Sequence, residues 1–333
     1  MQNKIKNYII SIESMGDVLE SFMALQSINS SIVFITNIAY LNILTKLNKN
    51  EYIKIIGINS SNRVMLFMNI FMSIIKPSKI IICHRNKYFS KIIKLFFPFS
   101  HQFKLKYPHE KVGGLIYKST RNRCRQYSML YRASELSLNN EAYTQIPCIK
   151  DNKVAIFAIG GGNKSAPLGA RGGKNILSVC KHIKDNYKQI EILYLVGNGA
   201  DDLKTSKKVE NYFTSLKVEN LVNKTKLTDI HNYFLKSSMI FSFDSGIMHL
   251  SCFYDMNKYF IFGPTNPLVV LPSNYNYNII GQAGECINCY NPDDGANSPA
   301  YKCVDSHCTN LEKNNDEFTC LLYTSDAADE VGR

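Results

Sequence analysis

Residues 241–267 read FSFDSGIMHLSCFYDMNKYFIFGPTNP and contain a strand, a turn, a helix and a second strand in succession. The first apolar run ends at Asp244, and Ser245-Gly246 turns the chain into a helical segment that carries His249 in its first turn. The next apolar run ends at a second turn, residues 262–265. Because consecutive parallel strands need a crossover connection, this order predicts a parallel β-α-β unit.

The same alternation of short apolar runs and longer amphipathic stretches continues along the chain and predicts an α/β fold with two domains. A length of 333 residues suits two domains of about 150 residues each. We place them at residues 1–148 and 149–319, with a linker at 144–152 marked by Pro147. The polar and basic stretch 107–141 is predicted to be a long helix that closes the first domain.

Strands are predicted at Tyr8–Ile12, Ile32–Thr36, Ile53–Ile58, Lys79–Cys83, Val154–Ile159, Ile190–Val196, Met239–Phe243 and Tyr259–Phe262. Helices are predicted at Val18–Ile28, Lys174–Asn186, Asp201–Phe213, Leu227–Lys236 and Gly246–Phe253.

Positive charge is concentrated in the first half of the chain. Residues 1–150 hold 21 of the 39 Lys and Arg residues but only 7 of the 27 Asp and Glu residues, and the net charge of the chain is +12. A basic domain indicates an anionic partner such as nucleic acid, anionic lipid or a phosphorylated glycan, or else a solvated surface. The sequence contains neither a helix-turn-helix nor an RNP pattern, so no nucleic acid is expected.

The apolar runs are too short for a targeting or membrane segment. Tyr8–Ile12 is shorter than a signal h-region, and Val64–Ile75 contains Asn69 and Ser73. A cytoplasmic protein is predicted, whose ten cysteines are reduced thiols or metal ligands. Residues 320–330, CLLYTSDAADE, look like a translated sequencing adapter. We therefore treat 320–333 as a non-native tail and expect the natural sequence to end, or to be truncated, near Thr319.

The turn after Phe243 is suited to an anion. A helix start offers free backbone amides and the positive end of the helix dipole. His249 lies three residues beyond Gly246 on the same face, so its ring can add a donor to the same anion. The alternative interpretation is a capped helix with a buried histidine.

The order Asp244-Ser245-Gly246, His249-Leu250, a strand and then Gly263-Pro264-Thr265 resembles the donor-site signature of glycosyltransferase family 9, the ADP-heptose:lipopolysaccharide heptosyltransferases. The resemblance implies the GT-B architecture, in which two Rossmann-like domains with parallel sheets face each other across a cleft. It also implies that this segment holds the diphosphate of a nucleotide sugar, which is expected to be ADP-heptose.

A second part of the resemblance lies in residues 8–25, YIISIESMGDVLESFMAL. The segment Ser14-Met15-Gly16-Asp17 resembles the family's first βα turn, in which the aspartate is the catalytic base. Asp17 is predicted to be that base, and the alternative is a helix-capping aspartate without a catalytic role. Glu13 and Glu20 are the local competitors, and Glu20 is expected on the solvent side of the helix. The acceptor side is predicted to include Gly16, Arg121, Arg123 and Arg125.

Two glycine turns complete the predicted donor site. Residues 157–175, FAIGGGNKSAPLGARGGKN, combine glycines that allow close backbone approach with cations for a diphosphate. They lack G-x-G-x-x-G spacing, which argues against a nicotinamide dinucleotide. After Gly197, the pair Asp201-Asp202 either accepts from ribose hydroxyls or only favours the helix N-terminus. The predicted donor-binding residues are Gly160, Gly161, Gly162, Asn163, Lys164, Arg171, Lys174, Gly197, Asp244, Ser245, Gly246 and His249.

The late cysteines are spaced like a tetrahedral zinc site. They are Cys286, Cys289, Cys303 and Cys308. A structural zinc and reduced, unliganded thiols both remain open for them.

The resemblance implies sugar transfer with inversion, without a divalent metal and without a cofactor beyond the donor substrate. The implied acceptor is a lipid-linked, phosphate-bearing glycan, with peripheral contact at the inner face of the inner membrane. The alternatives are a non-catalytic relative that binds nucleotide sugars and a basic nucleic-acid-binding α/β protein.

Overall fold

The computed structural model describes residues 7–12, 14–59, 70, 79–83, 92–93, 95–97, 101–104, 110–112, 115–117, 131, 143–160, 176–262, 267–272 and 275–282. The chain divides into two compact units, residues 1–144 with 271–273 and residues 145–270 with 274–333. The first division falls at Thr144/Gln145, inside the predicted linker. Each unit is an α/β unit built on a parallel sheet, as the sequence predicts.

The sheet of the first unit has the strand order β3-β2-β1-β4-β5, and all of its pairings are parallel. Helix α1, Met15–Leu25, follows β1, and helix α2, Ile38–Leu47, follows β2. Buried isoleucines such as Ile10, Ile35 and Ile82 fill the core against this sheet. The strands are β1 Asn7–Ile10, β2 Ile32–Asn37, β3 Ile53–Ile58, β4 Lys79–Ile82 and β5 His101–Lys104.

The long helix predicted over residues 107–141 is wrong in its first part. Strands β6, Glu110–Val112, and β7, Leu115–Tyr117, pair there as an antiparallel hairpin. The pair Gly113-Gly114 between them is a hairpin signal, because glycine readily adopts the positive φ angles of tight two-residue turns. The density of basic residues in this stretch obscured that signal in the sequence.

The sheet of the second unit has six parallel strands in the order β11-β10-β9-β12-β14-β15. Strand β9 therefore pairs with β10 on one side and with β12 on the other. These strands are β9 Val154–Ala158, β10 Ile192–Val196, β11 Lys217–Asn220, β12 Met239–Phe243, β14 Asn257–Phe262 and β15 Asn278–Gln282. The helices are α3 Ile176–Asn186, α4 Ala200–Tyr212, α5 Leu227–Leu235, α6 Gly246–Ser251 and α7 Pro267–Val270.

Aromatic packing fixes β12 and β14 relative to the end of α3. The Tyr187 ring meets Phe241 of β12 edge-on at 4.9 Å and Tyr259 of β14 at 4.8 Å, and Phe241 stacks on Tyr259 at 5.0 Å. Full burial of a side chain such as Phe241 stabilises the fold by about 1.5–3 kcal/mol. This cluster holds the strands whose carboxyl ends carry the best-defined predicted motif.

The predicted linker is partly ordered as a strand. Residues Ile146–Pro147 form β8, which pairs in parallel with β13, Tyr254–Asp255. Lys150 forms an ion pair with Asp255 at 2.8 Å, so residues 145–150 are fastened to the second unit. Among the helices that the structure describes, none is both long and apolar enough to cross a membrane.

Candidate functional site

Those predicted donor residues that the structure describes lie at one edge of the second unit's sheet. Gly160 follows β9, Gly197 follows β10 and Asp244 follows β12. Because all of these strands are parallel, their carboxyl ends are at the same edge. The strand order changes direction between β9 and β12, and ligands of open α/β sheets bind at such a switch point.

The turn between β12 and α6 is built by two serines. Ser245 is the N-cap of α6, and its Oγ accepts from the backbone N of Met248 at 3.4 Å. Ser242 Oγ donates to the Phe243 carbonyl at 2.8 Å and lies 3.4 Å from Ser245 Oγ. Asp244 and Gly246 are partly exposed. The strand at 239–243 and the helix start at Gly246 are thus confirmed, and the helix ends at Ser251, earlier than predicted.

His249 lies within the six-residue helix α6 and is only 7% exposed. Its backbone N donates to the Ser245 carbonyl at 3.3 Å. The capping and the burial are what the alternative interpretation required, and they are equally compatible with a ring that presents one edge to an anion at the turn. The ligand role of His249 stays a prediction.

The Asp202 carboxylate fills the space beside Gly160 and Gly197. Its Oδ2 accepts from the backbone N of Asn198 at 2.7 Å. A Cβ atom at Gly160 would overlap this carboxylate, and one at Gly197 would approach it to 2.9 Å. Asp202 therefore holds the turn between β10 and α4 and explains why glycines follow both strands at these positions. This observation favours a structural role for Asp202.

Replacing Gly160 by alanine is expected to destabilise the protein by about 1–3 kcal/mol, since the new methyl group would displace the Asp202 carboxylate. Urea unfolding measures this cost. The same substitution in an Asp202→Ala background should be much less costly, because the overlapping atoms are then absent. Equal costs in the two backgrounds would contradict the steric explanation.

In the first unit, Asp17 lies in the first turn of α1 and is 8% exposed. The N-cap is Ser14, so the helix starts at Met15 and not at Val18 as predicted, and Asp17 is not the capping residue of the alternative interpretation. Ser14 Oγ donates to Asp17 Oδ2 at 2.7 Å and accepts from the Asp17 backbone N at 3.5 Å. This pair fixes the orientation of the carboxylate. Gly16 is the partly exposed residue before it.

The negative charge of the Asp17 carboxylate acts on the phenol of Tyr40 in α2. Burial, and to a smaller extent the negative charge of Asp17, raise the pKa of the Tyr40 phenol. A neutral phenol therefore lies in the electrostatic environment of the predicted base. No motif in the sequence indicated this residue.

Glu20 is not on the solvent side of α1. It is 2% exposed, and α1 is buried continuously from Asp17 to Leu25. Other parts of the chain therefore cover α1, and one of them is the fully buried Tyr131, whose hydroxyl donates to the Ser21 carbonyl at 3.1 Å. Glu20 is thus closer in burial to Asp17 than the sequence indicated.

Many predicted site residues lie outside the described residues, and their roles stay predictions. They are Gly161, Gly162, Asn163, Lys164, Arg171 and Lys174 on the donor side, Arg121, Arg123 and Arg125 on the acceptor side, and Cys286, Cys289, Cys303 and Cys308. Within the described ranges, no three His, Cys, Asp or Glu side chains are grouped so as to hold a metal ion. The zinc alternative for the four cysteines stays open.

Comparison with known proteins places the second unit in a family context. Residues 182–297 match the model of glycosyltransferase family 9 (heptosyltransferase). This segment covers about a third of the chain and includes the Asp244–His249 turn. The match confirms the resemblance that the motif at this turn indicated. No curated protein matches the chain by sequence.

Solved structures of family 9 proteins share the fold over most of the chain. A glycosyl transferase family 9 protein from Veillonella parvula aligns with a TM-score of 0.60 and 14% identity over 84% of this chain and 86% of its own. ADP-heptose LPS heptosyltransferase II from E. coli aligns with a TM-score of 0.57 and 14% identity, over 94% of this chain and 100% of its own. E. coli heptosyltransferase WaaC, in its structure with ADP, aligns with a TM-score of 0.54 and 13% identity, over 87% of this chain and 92% of its own. The predicted GT-B fold class is confirmed.

Proposed function

We propose that this protein is an inverting glycosyltransferase. It moves a sugar, expected to be heptose, from a nucleoside diphosphate sugar to a lipopolysaccharide-core or related glycan. The observation that carries the proposal is the Ser245-capped turn between β12 and α6. This turn lies at the switch point of the sheet and within the segment that matches the family model.

At the donor, negative charge develops on the departing diphosphate during transfer. Backbone amides at Ser245–Gly246 are placed at a helix start, where an anion is stabilised by the helix dipole and by amides without intrahelical partners. His249, three residues further, supplies a ring donor in the proposal, and Lys164, Arg171 or Lys174 supplies a cation. Fixed donors aimed at developing charge contribute strongly to catalysis because they need no reorganisation.

At the acceptor, Asp17 takes the proton from the attacking hydroxyl as that oxygen forms its bond to the anomeric carbon. The 2.7 Å hydrogen bond from Ser14 Oγ supports this role, because it holds the carboxylate in one orientation through Oδ2. Burial of Asp17 to 8% exposure limits competition from water.

A membrane-bound acceptor is supported by the surface of the first unit. The neighbouring residues Leu95 and Phe96 are both exposed, to 77% and 47%. In the sequence they follow Arg85, Lys87, Lys91 and Lys94, in the half of the chain that carries the excess positive charge. Basic residues beside exposed apolar ones suit anionic lipid. The protein is accordingly proposed to work in the cytoplasm, at the inner face of the membrane.

The test of the proposal is thermal stabilisation by a panel of nucleotide sugars, followed by a transfer assay with the one that binds. A ligand at 100 times its Kd stabilises the folded state by about 2.7 kcal/mol. Stabilisation by nucleotide sugars without any transfer would indicate the non-catalytic relative. A protein that no nucleotide sugar and no nucleoside diphosphate stabilises would contradict the proposed function.

Turnover is expected to survive EDTA, because amides and cations balance the charge of the leaving group in the proposed mechanism. The assay follows circular dichroism together with turnover. Loss of turnover with an intact fold, restored by magnesium or manganese, would contradict metal independence. Loss of both signals, restored only by zinc, would identify Cys286, Cys289, Cys303 and Cys308 as a structural zinc site.

A further inference from the structure

We infer that Asn223 is a positioning residue that holds the Gly197–Gly199 turn in the conformation that receives the donor nucleoside. The inference rests on the proposed function, in which this sheet edge binds a nucleoside diphosphate sugar. Asn223 lies in the loop between β11 and α5, outside every motif of the sequence.

Asn223 contacts the turn through three hydrogen bonds. Its Oδ1 accepts from the Gly199 backbone N at 2.7 Å, and its Nδ2 donates to the Gly199 carbonyl at 3.1 Å. Its own backbone N donates to the Gly197 carbonyl at 3.2 Å. One residue thus satisfies both polar groups of Gly199 and fixes the turn at two points.

The turn depends on such external support. Gly199 has a φ of +131°, a conformation that only glycine adopts readily. It is the N-cap position of α4 but offers no side chain to bond the helix amides. Asp202 fixes Asn198 from the helix side at 2.7 Å, and Asn223 fixes Gly199 from the neighbouring loop. Between them, the two side chains determine the path of the backbone here.

Backbone conformation alone does not explain an asparagine at this position. Asn223 is exposed and has a φ of +59°, in the left-handed region that glycine adopts at a lower cost. A glycine would therefore supply the backbone conformation. What the asparagine adds is the pair of side-chain bonds to Gly199.

The strand order places the turn that Asn223 holds where the nucleoside is expected. The proposed phosphate turn follows β12, and β10 lies two strands away across β9, a distance of about 10 Å. A nucleotide with its diphosphate at the β12 turn and lying along the sheet edge over β9 brings its nucleoside to the end of β10. The backbone of residues 197–199 is then the surface on which the nucleoside rests.

Calorimetry with ADP on the full chain tests the inference with two variants. Asn223→Gly keeps the left-handed backbone and removes both side-chain bonds, so its Kd for ADP should rise about tenfold. Asn220→Ala, at the last residue of β11 just before this loop, is the matched control. Asn220 donates to Ser206 at 2.8 Å and Glu210 at 3.1 Å and accepts from the Val222 backbone N, and none of its bonds reaches the turn. The Kd of the Asn220→Ala variant for ADP should equal that of the wild type.

Exchange of the Gly199 amide with solvent deuterium provides a second readout that requires no nucleotide. This amide should exchange faster in Asn223→Gly and at the wild-type rate in Asn220→Ala. An unchanged ADP affinity in Asn223→Gly would overturn the inference, as would equal weakening in both variants, which would indicate loop stability alone. A wild type that binds no nucleoside diphosphate would refute the proposed function itself. Faster Gly199 exchange would then show that Asn223 holds the turn for another purpose, and the inference would fall with the function.

Discussion

Asp17→Asn is expected to lower the rate of sugar transfer by roughly 10²–10⁴-fold, the usual contribution of a general base, while donor binding stays nearly intact. The amide keeps the size of the side chain and can still accept from Ser14 Oγ, which donates to Asp17 Oδ2 at 2.7 Å in the native protein. What it loses is the capacity to take a proton from the acceptor hydroxyl. Steady-state kinetics with saturating donor, together with calorimetry of donor binding, measure the two effects separately.

The matched control is Asp229→Asn. Asp229 is the third residue of α5, as Asp17 is the third residue of α1, so both substitutions remove the same interaction with a helix dipole. Asp229 is exposed and belongs to no proposed site. Its variant should transfer sugar at the wild-type rate. If the Asp17→Asn variant transfers sugar at a rate within about tenfold of the wild type, Asp17 is not the base.

His249→Ala is expected to weaken binding of the nucleoside diphosphate and of the nucleotide sugar by a similar factor, roughly 10–100-fold, as for the loss of a hydrogen bond to a charged group. The reason is its position in α6, just behind the Ser245-capped turn that is proposed to hold the phosphates. A residue facing the sugar would instead affect only the complete donor. Calorimetry with both ligands separates these two cases.

His182→Ala provides the comparison for this substitution. His182 lies on α3 and has no role in the proposed site, so its removal tests whether loss of any imidazole changes affinity. Because His249 is buried, thermal unfolding of the variant must accompany the titration. Unchanged diphosphate affinity in a folded His249→Ala protein would show that the phosphates bind elsewhere.

The eight strands predicted from the sequence are all observed near the predicted residues, because buried parallel strands are nearly continuous apolar runs. Ile53–Ile58 and Met239–Phe243 are observed at the predicted residues. Strands β5, β11 and β15 were missed, and β11, Lys217–Asn220, is an example: it is short, has a single apolar residue and lies at the edge of the sheet. The hairpin at 110–117 was missed because charge density was taken as a helical signal.

The candidate site could be predicted only where its determinants are local in sequence. The Ser245 cap, Gly246 and His249 lie within five residues, so a motif reveals them. Asp202 reaches Gly160 across the sheet edge, and Asn223 holds Gly199 from a loop 24 residues away. Such contacts between residues far apart in sequence depend on strand order, which no local pattern encodes. The bond from Tyr131 to the Ser21 carbonyl of α1 likewise joins residues that are 110 positions apart in sequence.

The central position of β9 has a consequence for synthesis of the chain on the ribosome. One edge of β9 can pair with β10 soon after both emerge, but the other edge must wait for β12. At typical translation rates of 5–20 residues per second, that wait lasts roughly 4–16 s. During this interval a fully apolar strand presents unpaired amides and carbonyls, which invite pairing with other chains. Nascent second units are therefore expected to need chaperone protection until Met239–Phe243 has left the exit tunnel.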